Sequence, residues 1–303
     1  MALMSSENRR VSGILFSADA VESYTLVDVL NTPFYGGWKY IMKNKLLSPA
    51  IRLRDGHPLV YAPMRALFSA NTINDLVIMA HKAQADDLDE LASGLATEHE
   101  KQYKIVETGA DLGQSVAEAA GNVEIPGLAF GMAADLPFAN GEAVDVAVSE
   151  ILNVDEDAKM IFPVVTELFF EQYGDGWERT FLQLRGGDGS FGGFKMIDFL
   201  GMDPECINRD FISKFYEIRT FTSLKGKLNA LRFFGKELAG LLWKALISGV
   251  SLKNLEAAGT KLYGNELRII EVSNPYYHCF MKDIDTFGDY QAYLRATRGD
   301  YDP

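Results

Sequence analysis

The sequence predicts an α/β fold in which a mostly parallel, mixed sheet carries helices on its faces. Short apolar runs of strand length alternate with segments whose apolar residues recur at helical spacing, again and again through the first half of the chain. The apolar run from Ile125 to Gly131 leads into Met132-Ala133-Ala134-Asp135-Leu136-Pro137-Phe138. This places Asp135 at the carboxyl end of a buried strand, just before a proline that stops the ladder. The composition, 48% hydrophobic and 23% charged over 303 residues, is that of an ordinary globular chain with room for one large domain or a domain with an elaboration.

In chain order, Val11 to Ala18 reads as a first short strand, and Asp19 to Leu47 as irregular, with turn chemistry and aromatics at Thr32 to Trp38. Gly56-His57-Pro58-Leu59-Val60 leads into a helix through Leu67-Phe68. A buried strand at Asn74 to Ala80, a helix at Asp86 to Ala96, a strand at Lys104 to Glu107 and a helix at Leu112 to Ala120 follow. Gly127 to Ala134 is the strand that delivers Asp135, and Gly141 opens the next helix. The second half changes character. Lys159 to Val165 and Arg179 to Leu184 read as strands, joined by a connection rich in acids and aromatics. Pro204 to Gly264 is largely helical, and Arg268 to Val272 is a last strand. No internal repeat, G-x-G-x-x-G or P-loop is present.

A formal net charge of −13 with no strongly basic cluster argues against nucleic acid as a partner. The two cysteines, Cys206 and Cys279, make no C-x-x-C and exclude a disulfide framework. The four histidines lack chelating spacing; His278 and Cys279, adjacent on an expected strand, would point to opposite faces. Residues 1–10 are polar, without the apolar core of a signal peptide, and are expected to be disordered. The longest apolar window, Leu238 to Val250, is interrupted by Lys244 and too short to span a bilayer. A soluble, cytoplasmic protein is the expectation.

Three features carry candidate chemistry. In open α/β sheets ligands gather beyond the carboxyl ends of the strands, and a carboxylate there can hold Mg²⁺ together with substrate phosphates. Asp135 is so placed, although an aspartate that merely begins a turn reads the same way. Arg185 to Lys195 is the most glycine-dense window: it either lets a ligand approach the backbone or forms a tight hairpin. Lys225, Lys227, Arg232, Lys236 and Lys244 interleave with leucines and Phe233. That face either touches a membrane or phosphorylated substrate, or is the solvated side of a packed helix.

The closing stretch, Asp283-Ile284-Asp285-Thr286-Phe287-Gly288-Asp289-Tyr290, resembles the final motif of the MobA-like nucleotidyltransferases in the nucleotide-diphospho-sugar transferase (glycosyltransferase-A fold) superfamily. Gly56 to Val60 resembles that family's Gly-Lys-Pro-Leu segment, and Ala134 to Phe138 its Asp-(Met/Leu)-Pro-Phe segment. Phe162-Pro163-Val164-Val165, Arg179 to Leu182 and Phe191-Gly192-Gly193 resemble a larger subgroup with added helices. The resemblance implies a three-layer α/β/α sandwich over residues 11–295, one domain with a helical insertion at about 204–264. It implies transfer of a nucleoside monophosphate from a nucleoside triphosphate to a small phosphorylated acceptor, with Mg²⁺ and release of pyrophosphate. Asp135 and Asp285 would be the metal ligands. Asp283, two residues away on an extended segment, would face the same side. Gly109 and Ser115 fall where the family contacts the base, although Gly109-Ala110-Asp111 also reads as a helix start capped by Asp111. Gly192, Gly193 and Lys195 are candidates for the acceptor.

The departures lie on the triphosphate side. The family's Leu-Ala-Gly-Gly loop reads Leu15-Phe16-Ser17-Ala18 here, and its Pro-Lys reads Pro49-Ala50. Ser17 and Ala18 are thus nucleotide-binding candidates by position only. Arg52 and Arg54, with Lys45 as an alternative, would supply the missing cation, and Phe194 stands for the asparagine that follows the family's Gly-Gly. This pattern leaves open a nucleotide sugar as donor, or a non-catalytic nucleotide-binding member. Oligomeric state is not legible, and a homodimer is compatible with the sequence.

Overall fold

The computed structural model describes residues 10–16, 51–108, 112–174, 177, 181–185, 191–218, 250–285 and 287–298. The stretch Asp19 to Leu47, the basic face from Lys225 to Lys244, and residues 1–9 lie outside these.

β1 (Val11–Phe16), buried almost end to end, lies at the heart of the parallel half of the sheet. It pairs in parallel with β2 (Ile73–Ala80) on one edge and with β4 (Ala129–Ala133) on the other. β3 (Gln102–Glu107) pairs in parallel outside β2. Alternate side chains serve opposite faces. Leu15 and Ile78 join the larger core beneath α1 (Tyr61–Ser69), α2 (Ala85–His99) and α4 (Gly141–Leu152). Ile14, Val77 and Met79 pack on the other face with Val116 and Ala119 of α3 (Leu112–Ala120). The result is the expected three-layer α/β/α arrangement.

The other half of the sheet is mixed and centred on β5 (Met160–Thr166). One edge of β5 takes β9 (Leu267–Glu271) in parallel. Its other edge is shared by two antiparallel strands lying end to end, β8 (Phe199–Met202) and β7 (Phe191–Met196). β8 also pairs with β4 and so joins the two halves, while β6 (Leu182–Arg185) forms an antiparallel hairpin with β7. The chain order across the sheet is β3-β2-β1-β4-β8-β5-β7-β6, with β9 on β5. α6 (Arg209–Ile218), α7 (Leu252–Tyr263) and α8 (Phe287–Arg298) complete the described helices with α5 (Glu167–Tyr173). No helix among the described residues is long and apolar enough to cross a membrane.

Some local expectations are corrected. The connection after β5 starts as a helix, α5: Thr166 Oγ1 accepts from Phe169 N at 3.2 Å, capping a turn whose Phe169 and Phe170 face inward. β7 pairs antiparallel with β6, in keeping with the hairpin alternative for the glycine window, while β8 is a strand with no counterpart among the sequence expectations. His278 and Cys279 lie in a 3-10 helix, Pro275–Phe280, not a strand. Asn274 caps it through Tyr276 N at 3.1 Å, and proline in its first turn favours the helical start. In the Pro204–Gly264 region, α6 and α7 are helical as expected, whereas residues 219–249 lie outside the described set.

A buried polar knot sets the entry to β4. Ser12 Oγ donates to Asp75 Oδ1 at 2.7 Å and accepts from Ile125 N at 3.1 Å, while Glu124 N reaches Asp75 Oδ2 at 3.4 Å. The carboxylate thus links β1, β2 and the loop before β4. Asp75→Ala leaves Ser12 and the Glu124 amide without their acceptor and should cost about 3 kcal/mol, measured by urea unfolding. A loss below about 0.5 kcal/mol, the range of ordinary surface changes, would contradict this role.

Candidate active site

Three chain segments meet at the carboxyl end of β4. The first is β4 itself, which stops at Ala133 and is followed by Asp135. The second is residues 282–285, between the 3-10 helix and α8. The third is the two-residue step, Ile197-Asp198, where the chain leaves β7 and enters β8.

Backbone hydrogen bonds lock them together. Ile284 N donates to the carbonyl of Asp135 at 3.1 Å, so the two acidic motifs, distant in sequence, are neighbours. The Asp198 carbonyl accepts from Ala133 N at 3.0 Å, and Asp198 N donates to the Phe280 carbonyl at 3.1 Å. Ile284 is fully buried and pins the middle segment to the core. Trp177 Nε1 donates to the Asp283 carbonyl at 3.1 Å. Asp285 N donates to Asp289 Oδ2 at 3.2 Å, which gives the buried Asp289 of the closing motif a structural task in the first turn of α8.

Side chains of both signs occupy this junction. Asp283 is buried and Asp285 exposed, in the segment that turns into α8. Lys195 Nζ lies 3.7 Å from Asp283 Oδ1. The buried Lys282 sets its ammonium over the rings of Phe138, at 5.4 Å, and Trp177, at 5.7 Å. The residue that the sequence reading missed is Asp198. Part of its surface reaches solvent, but Oδ2 is enclosed and has no hydrogen-bond partner. Burial pushes its carboxyl well above the usual range. The Asp283 carboxylate adds to the shift, Lys195 opposes it, and Asp135 and Asp285 raise it further. The available signal was an acid breaking the apolar sequence Met196-Ile197-Asp198-Phe199, between what proved to be two paired strands.

Among the described residues no three acidic, histidine or cysteine side chains are drawn close enough to enclose an ion. The four carboxylates share a field rather than a coordination sphere. The donor set is nonetheless all oxygen, and the enclosed Asp198 Oδ2 is an acceptor that no protein donor meets. Oxygen donors are the kind that a hard divalent cation such as Mg²⁺ takes.

The remaining candidates are distributed as follows. Arg54 is drawn to α8: its backbone N donates to Tyr293 Oη at 2.9 Å and its Nη1 to the Thr297 carbonyl at 3.0 Å. Arg52 forms an isolated bridge with Pro58 at the turn carrying Gly56 and His57. Ser115 is buried within α3. Gly192 and Gly193 lie on β7, so the glycine window is a hairpin arm, with residues 186–190 outside the described set. A Cβ on Gly193 would sit 2.3 Å from Glu167 Oε2 and 2.8 Å from Phe181 Cβ, so packing alone demands glycine there. Ser17, Ala18 and Gly109 lie outside the described residues.

No protein-family model and no curated protein matches the sequence. Solved structures do match. A hypothetical transferase from Thermus thermophilus superposes with a TM-score of 0.58 at 20% identity, over 93% of this chain and 99% of the other. The fold is nucleotide-diphospho-sugar transferase-like. A putative glucose-1-phosphate thymidylyltransferase from Bacillus anthracis, in complex with a sucrose, gives 0.51 at 13% identity, over 95% of each chain. A CMP:2-keto-3-deoxy-manno-octonic acid synthetase complexed with CTP gives 0.50 at 11%, over 97% of this chain and 99% of that one. At such identities the likeness is one of fold.

The raised carboxyl of Asp198 makes a stability prediction. A carboxyl whose folded-state value exceeds its unfolded one imposes no penalty in acid. The penalty grows as pH rises above the unfolded value and is complete above the folded one. In EDTA at neutral pH, Asp198→Asn should therefore raise stability by about 1–3 kcal/mol in chemical unfolding. The gain should shrink as pH falls toward 4. A destabilised Asp198→Asn at neutral pH would contradict the described environment.

Proposed function

We propose that this protein is a nucleotidyltransferase that moves a nucleoside monophosphate from a nucleoside triphosphate to a small phosphorylated acceptor. The observation that carries this reading is the hydrogen bond from Ile284 N to the Asp135 carbonyl, which brings the two acidic motifs together at the carboxyl end of the central strands. The shared fold supports it. An oxygen of the acceptor phosphate would attack the α-phosphorus; the bond to the β-phosphate would break, and pyrophosphate would leave. Asp135 and Asp285 would hold Mg²⁺, which when bound neutralises phosphate charge and fixes the reacting groups in line. Lys195, on β7 beside Asp283, would receive the acceptor's phosphate, together with the backbone of Gly192. Lys282, boxed by Phe138 and Trp177, adds fixed positive charge next to Asp283.

One observation favours a second donor, a nucleotide sugar. Phe16 stands where the resembling family has a small residue, and its ring fills the space over Gly131: a Cβ there would lie 2.5 Å from Phe16 Cε2. A side chain of this size in place of the family's small residue would leave less room for a triphosphate and would suit a donor needing less of it. Thermal-shift titrations separate the two donors. The expected result is a rise in melting temperature with one of CTP, GTP, ATP or UTP that requires Mg²⁺ and is lost in Asp135→Ala. Stabilisation by UDP-sugars alone would replace the first reading by the second. Stabilisation by none of them would overturn both.

A further inference from the structure

We infer that Glu167 selects the acceptor: its carboxylate takes hydrogen bonds from the hydroxyl groups of a phosphorylated polyol or sugar whose phosphate rests on Lys195. This deepens the proposed function and rests on its placing an acceptor phosphate at Lys195.

The pairing of β5 with β7 brings the two side chains together. Val165 lies opposite Lys195 and Thr166 opposite Phe194 in an antiparallel register. One step further, where β5 gives way to α5, Glu167 comes to lie against Gly193. Its Oε2 would be 2.3 Å, and its Cβ 3.0 Å, from a side-chain carbon built on that glycine. The space that a β7 residue would fill is thus taken by a carboxylate from the end of the neighbouring strand. Residues two apart on a strand share a face, so this carboxylate lies on the same face of β7 as Lys195. The two positions are about 6.8 Å apart along the strand. A phosphorylated polyol covers a similar span from its phosphate to a hydroxyl at its far end.

Glu167 is half-buried, so the fold holds its carboxylate and still leaves it within reach of a ligand. Phe181 presses on the same point: its Cβ would be 2.8 Å from the carbon built on Gly193, and its ring packs edge-on against Phe170 at 5.3 Å. The chemistry of the surroundings then narrows what the carboxylate can receive. A carboxylate only accepts hydrogen bonds, so the ligand must donate. A quaternary ammonium has no donor and needs aromatic faces, and Phe138 and Trp177 already hold the ammonium of Lys282. A second anionic group would be repelled by Glu167 and by Asp283. A primary ammonium would meet the like charges of Lys195 and Lys282. Hydroxyl groups donate without charge and meet neither opposition.

The test is pyrophosphate release with each of CTP, GTP, ATP and UTP, in the presence of Mg²⁺ and one acceptor at a time. The acceptors are glycerol 3-phosphate, glucose 1-phosphate, phosphoethanolamine and ethyl phosphate. Turnover is expected with a hydroxylated acceptor and not with the last two. Glu167→Gln, nearly identical in shape, should raise KM for that acceptor about 10-fold or more and leave KM for the nucleotide unchanged. Glu167→Asp, which keeps the charge, should recover part of the loss. Urea unfolding of both variants separates lost recognition from lost packing. If Glu167→Gln leaves the acceptor KM unchanged, or if phosphoethanolamine or ethyl phosphate is the acceptor used, the role of Glu167 is overturned while nucleotidyl transfer stands. If no nucleotide yields pyrophosphate with any of these acceptors, both fall.

Discussion

The hydrogen bond between the Ile284 amide and the Asp135 carbonyl is the contact on which the candidate site depends. It joins two segments separated by nearly half the chain, and it does so beyond the end of β4, where the ladder has run out. A bond of this kind contributes only about 1 kcal/mol net, so it cannot assemble the junction alone. The core does that. Ile284 and Phe280 are fully buried, Trp177 braces the Asp283 carbonyl, and Asp198 ties β4 to the end of the 3-10 helix. The hydrogen bonds then fix register within a position that packing has chosen.

The mixed half of the sheet has a functional reason in this arrangement. A purely parallel sheet delivers only strand ends to its carboxyl edge. Here β7 and β8, both antiparallel to β5, follow one another along its edge, and the step between them, beyond which β8 also takes β4, lies at the site. Lys195 therefore reaches the junction from within a sheet, and Asp198 from a two-residue step held between two paired strands. Such positions are held more firmly than loop residues, which suits groups that must meet charged phosphates at defined places. The concentration of acid has its own cost, visible in the upward shift of the Asp198 carboxyl, and a cation would remove it.

Much of the fold could be read from the chain because its signals are local. β1 through β4 and the helices between them follow from apolar runs and helical spacing, and α3 falls on its expected bounds. The position of Asp135 at a strand end also needed only local text. What escaped were features set by distant partners. β7 and β8 contain glycines that lower strand propensity, and only pairing with β4, β5 and β6 makes them strands. Asp198 looked like any acid near a glycine-rich window, because its significance lies in Ala133 and Phe280, residues far from it in sequence. Asp283 and Asp285 were named together, yet the burial of Ile284 and the turn into α8 give them different surroundings.

The proposal that acidic motifs from distant parts of the chain serve one ion is tested most directly by anomalous diffraction from crystals grown with MnCl₂ and a nucleoside triphosphate. The expected result is a manganese peak bonded to carboxylate oxygens of Asp135 and Asp285, at about 2.0–2.3 Å. A peak bound elsewhere with these carboxylates turned to solvent, or ordered nucleotide with no manganese at this junction, would contradict it.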